Sequence, residues 1–517
     1  YPATRSLSGS LWTNHVDRAI SPNGEYLLAE QYYNDEVKML VIPLLSDAEV
    51  AVLWDVGDVA VGEDRDRDLI SLTPIGWLSD DRCIFAVCGP VIGGARDGDR
   101  GIFVLEATLT KRDGSGRSAS SAEDGPIIEA QVKELAFIDL PKKRTQISSA
   151  ALHENGQEVV IHAYDTLCSV NLSDNTVKIV KSGPEILETD GLTIPAPSPA
   201  LNLWVYRSSD GLRMVNTSTG EETMVFPTGA SFSFEPVWSP DGRFVAAYTA
   251  PKRTEKTAGL TEGDSDDQET SWKDYEVYES EPGFHPMGAS ITVADRQGRI
   301  VKEISAERKT LTQFRWAPDS SHLLFQTCTY RTQLGMSPHD HSKQSLVPIL
   351  AYDGVWTASV KSDEKSQILD MAALKSLQVS DESSSGSSAA EDPIFYPYPL
   401  WAIGSDNGLL LQLWTDQGGS IWYVSEGAPP VKVADGGQRG HYALYEDIEK
   451  ASPCLISNTE SGKTELWILV PGKFRRATEF GSNFVDLIAY NEDFIVLFDG
   501  NVFEPEGVLT VFRYPDL

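Results

Sequence analysis

Short apolar runs with alternating polar positions follow one another along most of the chain, and tight polar turns separate them. In SFSFEPVWSPDGRFVAAYTA, one apolar run ends at Trp238, and a second begins after the turn from Ser239 to Gly242. Proline presets φ in such a turn, aspartate bonds the nearby backbone, and glycine accepts a positive φ. This pattern predicts a β-hairpin.

Related turns recur along the sequence. SPNG begins at Ser21, APDS begins at Ala317, and looser copies lie in WLSDDRCIFAV and ALHENGQEVVIHAY. They mark about nine units of roughly 40 to 75 residues, a repeat length typical of propeller blades. We therefore predict an all-β fold, a single β-propeller over residues 1–517 with four-stranded antiparallel blades. The best count is about eight blades, within a range of about seven to nine, because the first and last segments can share a blade.

Further features complete the predicted architecture. Most units end in another apolar run, such as KMLVIPL or TLCSVNL, and we expect these runs to form the outer strands. Helical periodicity is nearly absent, and the segment from Leu369 to Leu377 is the best candidate for a short helix. Polar insertions interrupt the units near 111–129, 252–287 and 380–393, and we expect them to be loops of one domain.

The charge balance limits the partners of the protein. Among 517 residues, 76 acidic side chains outnumber 43 basic ones, which gives a formal net charge of -33. Such a field repels nucleic acid and anionic membrane surfaces, so we expect neither as a partner. The sequence also has no apolar run of about 18 residues, the length that spans a bilayer. We predict a monomer without a membrane span.

Cysteine usage and glycosylation motifs bear on the location of the protein. The five cysteines form an odd, scattered set, and Cys83 and Cys88 lie at opposite parity on one predicted strand. They would face opposite sides of a sheet, so we expect buried thiols and no disulfide framework. Sequons begin at Asn171 and Asn216. They suit an extracellular protein, which is the location that we predict.

The turns SPNG, SPDGR and APDS, with their flanking aromatic and aliphatic strands, resemble known repeats. They are similar to the WD40-like PD40 repeats of TolB-type propellers and of the propeller domain in dipeptidyl-peptidase-IV-like enzymes. The resemblance covers most of the chain and implies a propeller fold. Prolyl peptidases of that group carry a separate hydrolase domain with a Gly-x-Ser-x-Gly nucleophile elbow. Because this pentapeptide does not occur in the sequence, serine peptidase activity is disfavoured.

One basic window interrupts the acidic background. Between Lys309 and Lys343 lie three of the eight histidines together with Arg315 and Arg331, against few acidic residues. A site for an anionic substrate needs such a local reversal of charge, and the arginine fork suits a carboxylate. We therefore expect Arg315 and Arg331 to bind the substrate.

The same window contains the triplet His339, Asp340 and His341. Two histidines at alternate positions of an extended segment can aim both imidazoles at one divalent metal, such as calcium or manganese. A polar loop tip without a metal is the alternative. The propeller lyases that cleave oligogalacturonate use a metal site built from histidines, and this triplet is faintly similar to part of one. It departs from that pattern because no SPDG turn follows directly and a matching glutamine is not in register.

A lyase that acts on uronate sugars needs three groups. One neutralises the carboxylate, a base removes the C5 proton, and an acid protonates the leaving oxygen. The candidates are Arg315 and Arg331 for the carboxylate, His322 and His162 for the base, and Tyr164 and Tyr330 for the acid. For each histidine and tyrosine, the alternative is a structural role in packing one blade against the next.

Two classes of function follow from these observations. The first is a secreted enzyme, most specifically a polysaccharide lyase that cleaves an acidic, uronate-containing polysaccharide or oligosaccharide by β-elimination. The alternative is a non-catalytic propeller that binds a protein or glycan partner through its faces and insertions. The basic window favours the enzyme, whereas the overall acidity and the lack of a sharp motif favour the binding protein.

Overall fold

In the computed structural model, all regular secondary structure within the described part of the chain is β-strand. The structure describes residues 3–7, 10–13, 19–33, 36–46, 48–55, 71–90, 100–112, 127–139, 147–153, 156–163, 166–183, 196–197, 202–208, 211–227, 236–249, 290–305, 310–317, 319–336, 344–370, 398–401, 409–415, 418–424, 431–436, 443–445, 454–458, 463–470, 473–480, 485–491, 493–499 and 507–513.

The described strands form nine four-stranded antiparallel sheets, which we call blades 1 to 9. Blade 1 contains β2 (Ser10–Trp12), β3 (Tyr26–Tyr33), β4 (Glu36–Pro43) and β5 (Ala51–Asp55). Blade 2 contains β6 (Ser71–Ser79), β7 (Arg82–Pro90), β8 (Arg100–Arg112) and β9 (Ile127–Asp139). Blade 3 contains β10 (Ile147–Leu152), β11 (Glu158–Ala163), β12 (Thr166–Asn171) and β13 (Thr176–Ser182). Blade 4 contains β14 (Ala196–Pro197), β15 (Leu203–Ser208), β16 (Gly211–Asn216) and β17 (Glu222–Pro227).

The remaining blades follow in chain order. Blade 5 contains β18 (Val237–Trp238), β19 (Phe244–Thr249), β20 (Ser290–Asp295) and β21 (Ile300–Ser305). Blade 6 contains β22 (Thr310–Trp316), β23 (His322–Met336), β24 (Gln344–Ser359) and β25 (Lys365–Asp370). Blade 7 contains β26 (Tyr398–Trp401), β27 (Leu409–Thr415), β28 (Gly418–Val424) and β29 (Val431–Gly436). Blade 8 contains β30 (Ala443–Tyr445), β31 (Cys454–Asn458), β32 (Thr464–Val470) and β33 (Lys473–Phe480). Blade 9 contains β34 (Val485–Tyr490), β35 (Phe494–Asp499), β36 (Gly507–Arg513) and the N-terminal strand β1 (Ala3–Leu7).

The nine sheets confirm the all-β propeller fold and lie at the upper end of the predicted range of blades. Strand β1 pairs with β36, from Ala3 opposite Val511 to Leu7 opposite Gly507. The first segment of the chain therefore does complete the last blade, as the sequence allowed. However, β2 to β5 form a blade of their own, which adds one sheet to the best count of about eight.

Apolar side chains fill the spaces between adjoining blades and close the ring. Buried clusters join blades 1 and 2, 2 and 3, 3 and 4, 4 and 5, 5 and 6, and 8 and 9. A further cluster joins blade 9 to blade 1 through Leu27, Ile42 and Phe498. Strands β22 and β26 connect blades 6 and 7, and strands β29 and β31 connect blades 7 and 8. Burial of this apolar surface is the main force that holds the blades together.

The predicted turns have the geometry that their sequence requires. The Ser239 amide donates to the Phe244 carbonyl (2.8 Å), the Gly242 amide donates to the Ser239 carbonyl (2.7 Å), and Gly242 has a φ of 62°. The Ser239 hydroxyl oxygen accepts a hydrogen bond from the Phe244 amide (3.0 Å) and its hydroxyl donates to Asp241 Oδ1 (2.8 Å). The turn at Ser21 repeats this hydrogen-bond pattern. Each turn connects the first strand of its blade to the second.

The structure corrects the prediction of the outer strands. The runs KMLVIPL and TLCSVNL are third strands, β4 and β12, and a fourth strand lies outside each of them. Third strands are buried on both faces, as the pattern BBBBBe of β12 shows, whereas β13 is almost entirely exposed. The apolar pattern in the sequence was strongest where both faces are buried, so the more exposed fourth strands were not recognised.

The predicted short helix and the predicted insertions fall partly within the described residues. Leu369 and Asp370 belong to β25, so no helix begins at Leu369, and residues 371–377 lie outside the described part. Strands β8 and β9 include the two ends of the first predicted insertion, 111–129. The other two insertions lie outside the described residues. Within the described part of the chain, no helix is long and apolar enough to cross a membrane.

Candidate functional site

The blade geometry defines a central region and two faces. First strands of adjoining blades contact each other, as β6 does with β10 and β14 does with β18, whereas fourth strands such as β13 are exposed. The first strands therefore line the centre of the ring. We call the side that carries the turns between first and second strands the turn face, and the opposite side the loop face.

A polar residue occupies the same position in the second strand of four blades. Counted from the first residue of the turn, it comes nine positions later: Glu30 after Ser21, His162 after His153, Tyr248 after Ser239, and Gln326 after Ala317. Alternate residues of these strands pack against the following blade, as Leu28 does in blade 1. Because side chains alternate along a strand, all four polar side chains point toward the following blade.

These four side chains differ in burial. His162 and Gln326 are fully buried, and Tyr248 is 2% exposed with its ring packed edge-on against Phe314 at 4.9 Å. Burial raises the pKa of Tyr248 well above its usual value. Glu30 is only partly buried, but the loss of solvent still raises the pKa of its carboxyl group to about 7. Of the four, Glu30 is the one that solvent reaches.

Trp12 lies beside Glu30 on the first strand of blade 1. The two residues are opposite each other in the antiparallel register of β2 and β3, so their side chains share one face. Trp12 is 62% exposed, although it belongs to a first strand, and its Nε1 donates to Ser10 Oγ at 3.1 Å. Tyr32 lies on the same face and is 36% exposed. We call Trp12, Glu30 and Tyr32 the Trp12 site.

The position of the Trp12 site follows from the strand directions. Glu30 lies in the half of β3 that is remote from the Ser21 turn, so the site is displaced from the turn face toward the loop face. An exposed indole and a carboxyl of raised pKa at the centre of the ring form a surface that combines an apolar plane with a hydrogen-bonding group. Sequence reasoning did not select either Trp12 or Glu30.

The predicted base His162 lies in β11 and is fully buried. Its strand neighbour Val160 packs against Trp204 and Tyr206 of blade 4, and His162 points to the same side. This position suits a role in packing blade 3 against blade 4. Blades 4 and 5 separate it from the other predicted base, His322, in blade 6.

Arg315 and His322 share one face of blade 6. Arg315 in β22 is opposite Leu324, and His322 precedes Leu324 by two positions in β23, so both side chains lie on the same side of the sheet. Diagonal neighbours of this kind are about 7–8 Å apart. Both residues are partly exposed. The structure therefore brings together one predicted carboxylate-binding residue and one predicted base.

A chain of hydrogen bonds fixes the His322 ring. Its Nδ1 lies 2.6 Å from Ser321 Oγ, and this hydroxyl lies 2.6 Å from Asp319 Oδ1. Partial burial alone would raise the pKa of Asp319, but the hydrogen bonds from Ser321 and the charge of His322 hold it below its usual value. When Ser321 donates to this carboxylate, its oxygen accepts from Nδ1–H, which leaves Nε2 as the basic nitrogen of the ring.

The other predicted residues do not join this pair. Arg331 follows His322 by nine positions in the same strand, a separation of about 30 Å at about 3.3 Å per residue. Tyr330 is next to Arg331, and the side chains of both lie outside the described set. Tyr164, His339 and His341 also lie outside the described residues. Among the residues that are described, no group of three or more histidine, cysteine or acidic side chains has the arrangement of a metal site.

No protein-family model and no curated protein matches the chain. Solved structures do match. The chain is similar to oligogalacturonate lyase from Vibrio parahaemolyticus, with 12% identity and a TM-score of 0.35 over 70% of this chain and 87% of that one. It is similar to Porphyromonas gingivalis dipeptidyl peptidase 4, with 12% identity and a TM-score of 0.45 over 80% and 55%. It is also similar to the C-terminal WD40 domain of Sif2, with 9% identity and a TM-score of 0.37 over 86% and 97%.

These likenesses concern the fold alone. They are consistent with the resemblance to WD40-like and dipeptidyl-peptidase-IV-like propellers that the turns indicated. The activity of this β-propeller must therefore be argued from its own residues.

Proposed function

We propose that the protein is an extracellular β-propeller that binds a glycan at the Trp12 site. The observation that carries this proposal is the exposure of Trp12, 62%, on a first strand beside Glu30. Large aromatic side chains at the centre of a ring are usually packed between blades, and an exposed one leaves apolar surface available to a ligand. A binding protein is the alternative function that the sequence left open.

A sugar ring fits the chemistry of this surface. The C–H face of a pyranose packs against an aromatic plane, and its hydroxyl groups exchange hydrogen bonds with a carboxyl group. Because Trp12 Nε1 already donates to Ser10 Oγ, the indole plane is oriented and its remaining free surface is apolar. Tyr32 supplies a second ring on the same face.

The charge of the site favours a neutral glycan. Glu30 gains negative charge as the pH rises through its pKa of about 7, and the whole chain carries a formal charge of -33. Both repel a uronate carboxylate. A neutral oligosaccharide avoids this repulsion and still uses Glu30 as a hydrogen-bonding partner.

Calorimetric titration of the full chain with a panel of neutral and uronate-containing oligosaccharides tests this proposal. We expect binding of at least one neutral oligosaccharide, and a loss of about tenfold in affinity for Trp12→Ala, which corresponds to about 1.4 kcal/mol. Val52→Ala removes an apolar side chain that is 52% exposed on β5 of the same blade, and it serves as the matched control. The proposal fails if no member of the panel binds, or if both variants bind as the unmodified protein does.

A polysaccharide lyase is the second candidate, and the pairing of Arg315 with His322 supports it. The guanidinium group can neutralise a uronate carboxylate, while Nε2 of a ring oriented through Nδ1 can remove the neighbouring C5 proton. The acid that protonates the leaving oxygen is not assigned within the described side chains. Tyr330 and Arg331 remain predictions for this activity, as does a metal at His339 and His341.

Absorbance of the unsaturated product distinguishes this candidate from simple binding. The full chain is incubated with uronate polysaccharides, with and without added divalent metal. If the protein is a lyase, His322→Gln and Arg315→Lys should each lower the rate at least about 100-fold, the usual scale for a general base. His153→Gln is the matched control, because His153 lies in the turn of blade 3, and blades 4 and 5 separate it from Arg315 and His322 in blade 6. If no polysaccharide of the panel gives a rise in absorbance, with or without metal, the lyase function is excluded.

A further inference from the structure

The two sequons occupy equivalent turns in neighbouring blades. Asn171 ends β12 and Asn216 ends β16, and each is the last residue of a third strand. The turn after Asn171 contacts the first turn of its blade through the Leu172 amide, which donates to the Gln157 carbonyl at 2.7 Å. Thr217 makes the same contact with Asn202 in blade 4, at 3.1 Å. Both sequons therefore lie on the turn face, away from the Trp12 site.

The sequon at Asn171 is open to solvent. Asn171 and Ser173 are exposed, and the Ser173 hydroxyl donates to Asn171 Oδ1 at 2.7 Å. The Ser173 amide donates to the same oxygen at 2.8 Å. Both hydrogen bonds use the carbonyl oxygen of the carboxamide, which leaves Nδ2, the atom that carries an N-linked glycan, on the opposite side of the group.

The sequon at Asn216 is crowded by the neighbouring blade. Asn216 is partly buried, and the following residue, Thr217, is fully buried. Lys178 of blade 3 donates from Nζ to the carbonyl oxygens of Thr217 (3.2 Å) and Ser218 (2.5 Å). A branched oligosaccharide on Asn216 would compete with this Lys178 contact for space. The equivalent turn in blade 3 has no such lysine contact among the described residues.

We propose that Asn171 is a site of N-linked glycosylation and that Asn216 is not. In the transfer step, Asn171 Nδ2 attacks the anomeric carbon of an oligosaccharide attached to a lipid diphosphate. The bond between that carbon and the phosphate oxygen breaks, the lipid diphosphate leaves with the electron pair, and the Nδ2 proton passes to a base of the transferase. The glycan then covers part of the turn face and leaves the loop face accessible.

Mass spectrometry of the full chain, directed into the secretory pathway of a eukaryotic host, tests this assignment. Whole-cell extract is analysed as well as the medium, so that retention does not hide the result. We expect glycosidase treatment in heavy-oxygen water to label Asn171 and to leave Asn216 unlabelled. Asn171→Gln and Ser173→Ala should both abolish the glycan, because the second removes only the sequon hydroxyl.

Asn216→Gln is the matched control and should leave the glycan in place. Unmodified Asn171 in the chain that has entered the secretory pathway would overturn the proposal, and so would a glycan on Asn216. The outcome is independent of ligand binding at the Trp12 site, because the two lie on different sides of the ring.

Discussion

The indole Nε1 of Trp316 in blade 6 donates a hydrogen bond to the carbonyl oxygen of Val237 in blade 5, at 3.0 Å. Trp77 in blade 2 does the same to Ala19 in blade 1, at 2.9 Å. In both cases the acceptor lies two positions before the first residue of a turn, at Ser239 or Ser21. The repeat thus reproduces a specific contact between blades as well as the blade itself.

Stacking accompanies this hydrogen bond. The Trp316 ring lies over Phe244 with centroids 6.2 Å apart, and the Trp77 ring lies over Tyr26 at 6.0 Å. Trp316→Phe should keep an aromatic contact but leave the Val237 carbonyl without its donor, and we expect a loss of about 1 kcal/mol. Urea unfolding followed by circular dichroism measures it. The exposed Trp12→Phe is the control, with a change within about 0.5 kcal/mol, and equal losses in both variants would contradict the assignment.

Two glycines with similar backbone conformation should respond differently to alanine. Gly24 has a φ of 70° and Gly156 a φ of 65°. A Cβ on Gly24 would overlap the Phe494 ring of blade 9, whereas one on Gly156 would meet nothing within 4 Å. Both substitutions incur the cost of a left-handed backbone, about 1 kcal/mol.

Gly24→Ala must also displace the Phe494 ring at the junction of blades 1 and 9, and overpacking of this kind costs about 1–3 kcal/mol more. We expect Gly24→Ala to lower the free energy of unfolding by about 2–4 kcal/mol and Gly156→Ala by about 1 kcal/mol. Chemical denaturation of the two variants in parallel gives the difference. If the two losses are equal, Phe494 does not pack against Gly24 as described.

Glu30 should make stability depend on pH near neutrality. Its pKa is about 7 in the folded protein against 4.5 as the ordinary value, because burial disfavours the charged form. Below about pH 4.5 the carboxyl group is protonated in both the folded and the unfolded protein, so Glu30 does not lower the free energy of unfolding. As the pH rises toward 7, the unfolded state releases its proton first, so stability falls, by up to about 3 kcal/mol at about 1.4 kcal/mol for each pKa unit.

Glu30→Gln should remove this dependence, because glutamine does not titrate. Urea unfolding at several pH values from about 5 to about 8 should then show a free energy of unfolding that changes less with pH and is higher at pH 8 than that of the unmodified protein. Tyr32→Phe retains Glu30 and is the control. An unchanged slope in Glu30→Gln would mean that the carboxyl group is solvated and has an ordinary pKa.

Glu106 should have the opposite pH dependence. This buried carboxylate accepts from Arg82 Nε at 2.7 Å and lies 3.2 Å from Lys133 Nζ. Burial tends to raise its pKa, but Arg82 and Lys133 outweigh that effect and hold the pKa below the usual value. The stability that it contributes is present above the ordinary pKa and is lost as the pH falls through the folded value.

Glu106→Gln should cost about 2 kcal/mol at neutral pH, because hydrogen bonds to charged groups are lost. The difference from the unmodified protein should shrink at acid pH, where both forms are neutral. Thermal unfolding at pH 7 and at low pH provides the test. Glu129→Gln is the control, because it removes an exposed carboxylate that pairs with Arg112. A difference that is constant across pH would show that packing, not charge, is responsible.

The turns explain how much of the fold was predictable. The hydrogen bonds at Ser239 and Ser21 depend on residues within six positions of each other, so the local sequence contains all the required information. The fourth strands escaped because largely exposed strands of mixed composition, such as β13 (TVKIVKS), carry a weaker apolar signal than third strands that are buried on both faces. The candidate site escaped for a different reason. In β3, Tyr26 to Ala29 are buried and Glu30 is partly buried. The raised pKa of Glu30 arises from the packing of separate strands, which the local sequence does not show.

The pairing of β1 with β36 places residues about 500 positions apart in one sheet, since Ala3 lies opposite Val511. A ribosome makes β1 long before β36, so the edge of β1 stays without its partner while the residues between the two strands are synthesised. Closing so large a loop is slow compared with forming a hairpin. Blade 9 is therefore expected to fold after the other blades, and the edge of β1 is exposed to other chains until β36 has been made.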